Sequence, residues 1–124
     1  MRQIHAVRLS VPSRRSNRSS RVGKSRDVSR TLRRKIGKPV ELIGLISDTH
    51  GLVRALALDM LRGVDLIIHA GDIGKPEVLD ALKPIAPLHA IKGNNDRGAW
   101  AKKLPDTMLL AVGGVKLYLI HDVH

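Results

Sequence analysis

Three apolar runs of strand length recur at short intervals in this chain, and each breaks off on chemically similar residues. "ELIGLIS" (41–47) is followed by Asp48, Thr49, His50 and Gly51, "VDLIIHAGD" (64–72) ends on Asp72, and "LHAIKGNND" (88–96) ends on Asn94, Asn95 and Asp96. Continuous apolar runs bounded by turn residues suit strands buried on both faces. Between them, "LVRALALDMLRG" places Leu52, Leu56, Met60 and Leu61 near helical spacing with Gly63 as a stop. "KPEVLDALKPI" starts a short helix at Pro76 and closes it before Pro84. Strand and helix in short alternation predict an α/β domain built on a parallel sheet with right-handed crossovers.

Parallel strands have all their carboxyl ends on one edge, where open α/β sheets bind ligands. That edge would carry Asp48 and His50, then Asp72, then Asn94, Asn95 and Asp96. Further on, "MLLAVGG" and "VKLYLIHD" read as a hairpin turning at Gly113 and Gly114, and its second arm ends on His121 and Asp122. Any one of these endings alone is better read as a turn or a helix cap. Four strand ends in succession with metal-ligand chemistry point instead to a shared site. The chain has no cysteine, so ligation must come from oxygen and imidazole.

The formal charge of +11 suggests a nucleic-acid partner until it is divided along the sequence. Residues 1–38 hold 13 of the 22 Lys and Arg with Asp27 as their one acid, so this stretch is near +12 and the remainder near −1. An Arg- and Ser-rich run such as "SRRSNRSSRVGKSR" offers too little apolar surface to offset its ordering entropy. Residues 1–39 are therefore expected to be a disordered basic extension, with the folded domain over 40–124. The extension reads as a basic arm for nucleic acid, as an organelle transit peptide, or as sequence upstream of the domain proper, and the last is favoured. No stretch approaches a membrane span and no secretory signal opens the chain, which fits a cytoplasmic protein.

The series Asp-x-His, Gly-Asp, Gly-Asn-x-Asp and a strand closing on His resembles the calcineurin-like metallophosphoesterase superfamily. Within it, "LISDTHG…IIHAGDI…IKGNNDRG…LYLIHD" is similar to the small bacterial and archaeal phosphodiesterase branch that also includes the eukaryotic retromer subunit, over about residues 41–122. The resemblance implies two packed β-sheets flanked by helices, and two divalent cations. Asp48 and His50 would hold one cation, Asp72 would bridge both, and Asn94 and His121 would belong to the second. Mixed oxygen and imidazole ligation suits manganese first, with iron, zinc or nickel admissible, over calcium. The implied activity is hydrolysis of a phosphate ester, foremost a phosphodiester, by a metal-bridging hydroxide.

Two departures from the family pattern stand out. Asn95 occupies the position where many members carry a His that protonates the leaving oxygen, so no catalytic acid is assigned. The chain also stops at His124, before the family's further Gly-His-x-His pair. The domain is accordingly expected to be cut short at its C-terminus and to turn over an activated phosphodiester feebly or not at all. A non-catalytic binding or scaffold protein on the same fold is the alternative. Among the remaining histidines, His69 suits a hydrogen-bonded core or supporting position, while His5, His89 and His124 carry no assigned role. Arg97 reads as an exposed loop residue and Trp100 as a packing residue. Gly71 and Gly93, just before Asp72 and Asn94, are expected to let backbone approach metal and phosphate closely. Neither substrate nor oligomeric state is legible.

Overall fold

The computed structural model describes residues 5–11, 26–94, 96–113 and 115–121. The expected strand–helix alternation is present: β3 (Leu42–Ser47), α2 (Ala55–Met60), β4 (Leu66–His69), α3 (Pro76–Leu82) and β5 (Leu88–Ala90). β3 pairs in parallel with β4, and β4 with β5. A short helix α4 (Ala99–Lys102) then leads to the antiparallel hairpin of β6 (Thr107–Val112) and β7 (Val115–Ile120), which closes with Val112 opposite Val115. Gly113 sits in the turn at φ +58°, a conformation that glycine adopts without steric cost.

Residues ahead of position 40 also build the fold, and here the structure departs from the expectation of a disordered extension. β1 (His5–Ser10) runs antiparallel along the free side of β3, from His5 opposite Ser47 to Ser10 opposite Leu42. β2 (Arg26–Asp27) adds in parallel to β6, and α1 (Ser29–Ile36) follows it. The sheets thus run β1-β3-β4-β5 and β2-β6-β7. The reason is visible in "AVRLSV": alternate residues serve opposite faces, with Leu9 and Val11 packing towards one core and Ala6 towards the other. Arg8 uses its guanidinium rather than leaving it in water, donating from Nη1 to the carbonyls of Met60 (3.1 Å) and Arg62 (3.0 Å) as α2 ends. Those are carbonyls that the helix itself cannot satisfy. The basic run 12–25, which dominated the charge argument, lies outside the described residues.

Two apolar clusters fix the layers. Ile43, Leu66, Ile68 and Ile91 of the first sheet meet Leu110, Val112 and Leu119 of the second, with Val28 and Leu32 of the α1 region closing one side. On the other face of the first sheet, Ile46 and Ile67 pack on Ala57, Leu61 and Val64 from the α2 segment and on Val78 and Leu82 from α3. The molecule is therefore two packed sheets with helices outside, as the family resemblance implies. Gly44 permits the α2 packing, because a Cβ there would stand 2.5 Å from Leu61 Cδ2 and 3.2 Å from a Val64 methyl. The apolar stripe expected on α2 is only partly correct. Leu61 is fully buried, but Leu52, Leu56 and Met60 are exposed, and Ala57 and Val64 face inward in their place. The helix begins at Ala55, so its inward face follows the i, i+4 pair Ala57 and Leu61.

Asp65 ties the start of β4 to the start of β3. Its Oδ2 accepts from the backbone N–H of Glu41 (2.9 Å) and Leu42 (3.1 Å), and its Oδ1 pairs with Lys38 at 3.2 Å. Burial raises its pKa, but the Glu41 N–H, the Lys38 ammonium and the Leu42 N–H together outweigh burial and hold it below the ordinary carboxylate value. A depressed folded pKa stabilises above the unfolded value and is lost as pH falls through the folded one. Relative to Asp65→Asn, the native chain is expected to be more stable near neutrality by about 1–3 kcal/mol. That advantage should shrink below about pH 4, as urea titrations at several pH values will report. Removing residues 1–11 is expected to lower the urea midpoint, since it bares the β3 edge and frees the α2 carbonyls; an unchanged midpoint would show that β1 contributes nothing.

Candidate metal centre

The carboxyl ends of β3 and β4 leave the sheet side by side, and their loops are laced together by main-chain bonds. Asp48 N–H donates to Gly71 O (3.1 Å), His50 N–H to Asp72 O (3.0 Å) and Gly51 N–H to Ile73 O (2.7 Å). Within this lacing Asp48 (φ +58°), His50 (φ +47°) and Asp72 (φ +58°) all adopt left-handed backbone. No other described non-glycine residue does so. Such residues cost about 1–3 kcal/mol each and persist only where the surroundings over-determine them. The strain coincides with three of the five residues singled out from the sequence.

The side chains converge accordingly. One ligand atom each from Asp48, Asp72 and His121 lies within 4.8 Å of the other two. His121 Nε2 is 3.2 Å from Asp72 Oδ2, and His50 Nε2 is 3.8 Å from Asp48 Oδ1 and 3.9 Å from Asp72 Oδ2. Two ligands on one cation at ~2.1 Å stand roughly 3–4 Å apart, so these separations fit a shared divalent ion. Asp72 is buried, while Asp48, His50 and His121 are half-buried at the mouth. Asn94 is exposed in the turn directly after Gly93. Asn95, Asp122 and His124 lie outside the described residues.

His121 is oriented by its other nitrogen. Nδ1–H donates to the Ala70 carbonyl at 2.9 Å, which leaves Nε2 facing Asp72. Burial lowers the imidazole pKa, yet the Ala70 bond and the Asp72 and Asp48 carboxylates more than compensate and raise it overall. The same carboxylates that favour a proton on Nε2 would favour a cation in its place.

The glycines before the ligands also make room for the site's own side chains. A Cβ on Gly71 would fall 2.6 Å from His121 Nδ1, and a Cβ on Gly93 would collide with the backbone nitrogen and Oδ1 of Asp72. The space they leave is filled by the site's own residues: the His121 ring over Gly71, and Asp72 against Gly93.

Two supporting residues complete the centre. His69 is fully buried, and its roles follow from its partners. Thr49 Oγ1 donates its one proton to Ile73 O (2.9 Å), so His69 Nε2–H donates to Thr49 Oγ1 (3.0 Å), and Nδ1 accepts from Gly71 N–H (3.1 Å). Burial lowers its pKa to about 4, and the ring is neutral. It is the hydrogen-bonded supporting residue anticipated from its place in an apolar strand. Asp96 was noted in the sequence only as one of several polar strand-end residues. It is buried, with its carboxylate accepting from Ile73 N–H (3.1 Å), Gly74 N–H (2.8 Å) and Gly93 N–H (2.9 Å). It thereby clasps the β5 loop to the β4 loop. The signal for it was the short spacing from Gly93 to Asp96, which allows an Asx-type turn to bend back on its own start.

The family profile described as "Calcineurin-like phosphoesterase superfamily domain" matches residues 42–124. The chain belongs to that superfamily. It is 44% identical over 85 residues to a protein named as a probable metallophosphoesterase from Methanocaldococcus jannaschii, covering 64% of this chain and 42% of that protein. It is 39% identical over 85 residues to another so named from Methanothermobacter thermautotrophicus, covering 64% of this chain and 49% of the relative. It spans less than half the length of either. Among solved structures, a Vps29 single mutant from Entamoeba histolytica shares the fold with a TM-score of 0.54 at 23% identity, over 63% of this chain and 46% of that one.

Gly71→Ala is expected to displace the His121 ring and weaken the binding of a divalent cation by about tenfold or more, since φ +106° is also unfavourable for alanine. Calorimetric titration beside Gly63→Ala decides it, because Gly63 is also left-handed but has open space around it. Equal losses in the two variants would mean that backbone strain, rather than the displaced ring, is responsible.

Proposed function

We propose that this domain is a divalent-metal-dependent phosphoesterase and that its substrate is a phosphodiester. The observation that carries the reading is the meeting of Asp48, Asp72 and His121 within 4.8 Å at the ends of separate elements, with His50 alongside. The family membership and the oxygen–imidazole donor set support it. Asp72 is the bridging ligand in this reading, because its Oδ2 faces both His121 and His50, and a carboxylate can serve two cations where an imidazole serves one. Asp48 and His50 complete one position, and His121 with Asn94 belongs to the other. Manganese is the preferred ion.

When bound, the cations supply Lewis-acid stabilisation of the phosphate and lower the pKa of a water. The protein's part is positional. The laced loops hold Asp48, His50 and Asp72 in one conformation, Ala70 fixes the His121 tautomer, and neutral His69 with Thr49 keeps the floor of the site satisfied without adding charge beneath the cations. Among the described residues no buried side-chain polar atom lacks a hydrogen-bond partner.

Manganese titration combined with hydrolysis of bis(p-nitrophenyl) phosphate tests the proposal. Asp72→Asn is expected to weaken metal binding more than Asn94→Ala does and to abolish any turnover. Metal binding that survives Asp72→Asn intact would refute the bridging role. Metal binding without turnover in the native chain would favour the second reading, a binding protein on the same fold.

A further inference from the structure

The basic helix α1, ahead of β3, is held in place by the fold. In α1, Leu32 is 3% exposed and sits in the core between the sheets, with Ile36 packed against the same cluster. The helix is secured at both ends. Asp27 Oδ1 accepts from Ser29 N–H (2.9 Å), Ser29 Oγ accepts from Gly113 N–H (2.8 Å), and Gly37, at φ +80°, donates its N–H to Arg33 O. This seating dictates what the outer face displays. At about 100° per residue, Arg30, Arg33 and Arg34 are i, i+3 and i+4 neighbours, with Arg30 and Arg34 on the side opposite Leu32 and Arg33 on the adjoining flank. All three are exposed, as is Lys35, and among the described residues none of the four forms an ion pair.

The ordinary explanation for such residues is the helix dipole, which favours cations in the last turn. It accounts for Arg33, Arg34 and Lys35. It does not account for Arg30 in the first turn, where a cation is disfavoured and where the nearest carboxylate, Asp27, bonds the Ser29 N–H. Like charges at i, i+4 also destabilise a helix, by about 0.2–0.5 kcal/mol per pair. The stripe therefore works against the helix that bears it, on a body whose remaining charge is near −1. We infer that the Arg30–Arg33–Arg34 stripe is a docking surface for the phosphate backbone of a nucleic acid.

Arginine presents a planar fork of donors matched to phosphate oxygens. The face lacks the exposed apolar side chains that would anchor a helix in a lipid surface, since Leu32 and Ile36 point into the protein. Its position separates it from the metal centre. α1 ends at Ile36 and the chain enters β3 at Leu42, the amino end of the strand. The metal centre lies beyond the carboxyl end, about 20 Å away along a strand of this length. The surface thus tethers a nucleic acid without feeding its backbone to Asp48 and Asp72.

The test is fluorescence anisotropy of the full chain with labelled duplexes of about 20 base pairs, DNA and RNA in separate arms, across a salt series. The triple variant Arg30→Gln, Arg33→Gln, Arg34→Gln is expected to bind both at least tenfold more weakly near ~0.1 M salt and to flatten the log–log salt slope by about 2–3. The charge-matched control Lys102→Gln, Lys103→Gln, Lys116→Gln should stay within about twofold of the native chain. Thermal melts verify that both variants fold. Equal weakening in the two variants would reduce the effect to net charge and overturn the assignment. So would the absence of salt-dependent binding by the native chain, or tighter binding to anionic phospholipid vesicles than to either duplex.

Discussion

The structure depends on a short ladder of main-chain bonds between two strand-end loops. Asp48, His50 and Gly51 donate to the consecutive carbonyls of Gly71, Asp72 and Ile73, so the two loops stay bonded beyond β3 and β4 but leave the regular strand register. The ladder allows three residues with side chains to remain in left-handed backbone, at a combined cost of several kcal/mol if each contributes about 1–3. In continued strand geometry Asp48 and His50, two residues apart, would share one face of the sheet, and Asp72, one residue beyond the Gly71 that pairs with Asp48, would fall on the other. The convergence of ligand atoms is thus produced by backbone conformation first and by side-chain choice second. Asp96 then clasps the third loop to the second through the N–H groups of Ile73 and Gly74, and its carboxylate also takes the Gly93 N–H of its own loop.

Beneath the ladder, polarity is handled by exhausting it. His69 and Thr49 pass hydrogen bonds from Gly71 N–H to Ile73 O, and burial keeps the imidazole uncharged. A charged imidazole at that depth would repel any cation bound in the proposed centre. Asp65 follows the opposite rule at the other end of the sheet. It stays ionised because two N–H groups and an ammonium repay its burial.

Much of the α/β core was legible in the sequence because buried parallel strands leave an unbroken apolar signature that ends abruptly. Asp48, His50, Asp72 and His121 could be singled out for the same reason, each falling where such a run stops. What escaped was carried by weaker signals. β1 was hidden by its charge: Arg8 belongs to a strand whose alternation spans only six residues, inside a segment dominated by arginine and serine. The apolar face of α2 was misjudged because Leu52, Leu56 and Met60 outweigh Ala57 in hydrophobicity, although the helix start places Ala57 inward. The room that Gly71 and Gly93 leave for His121 and Asp72 could not be read at all, since a missing Cβ shows which atoms may approach only once those atoms are in place.

The pairing of β1 with β3 sets an order of events in folding. β3–β4 and β4–β5 partners lie 23 and 21 residues apart with a helix taking up part of each connection, whereas Ser10 must find Leu42 across about thirty intervening residues. Closing a loop of that length costs about 3 kcal/mol of chain entropy, which is repaid only once the β3 edge exists to receive the strand. The β3–α2–β4 unit is therefore the natural nucleus, and β1 docks late. On a ribosome β1 would emerge before β3 and yet dock after it, with Arg8 and Ser10 keeping it soluble in the interval.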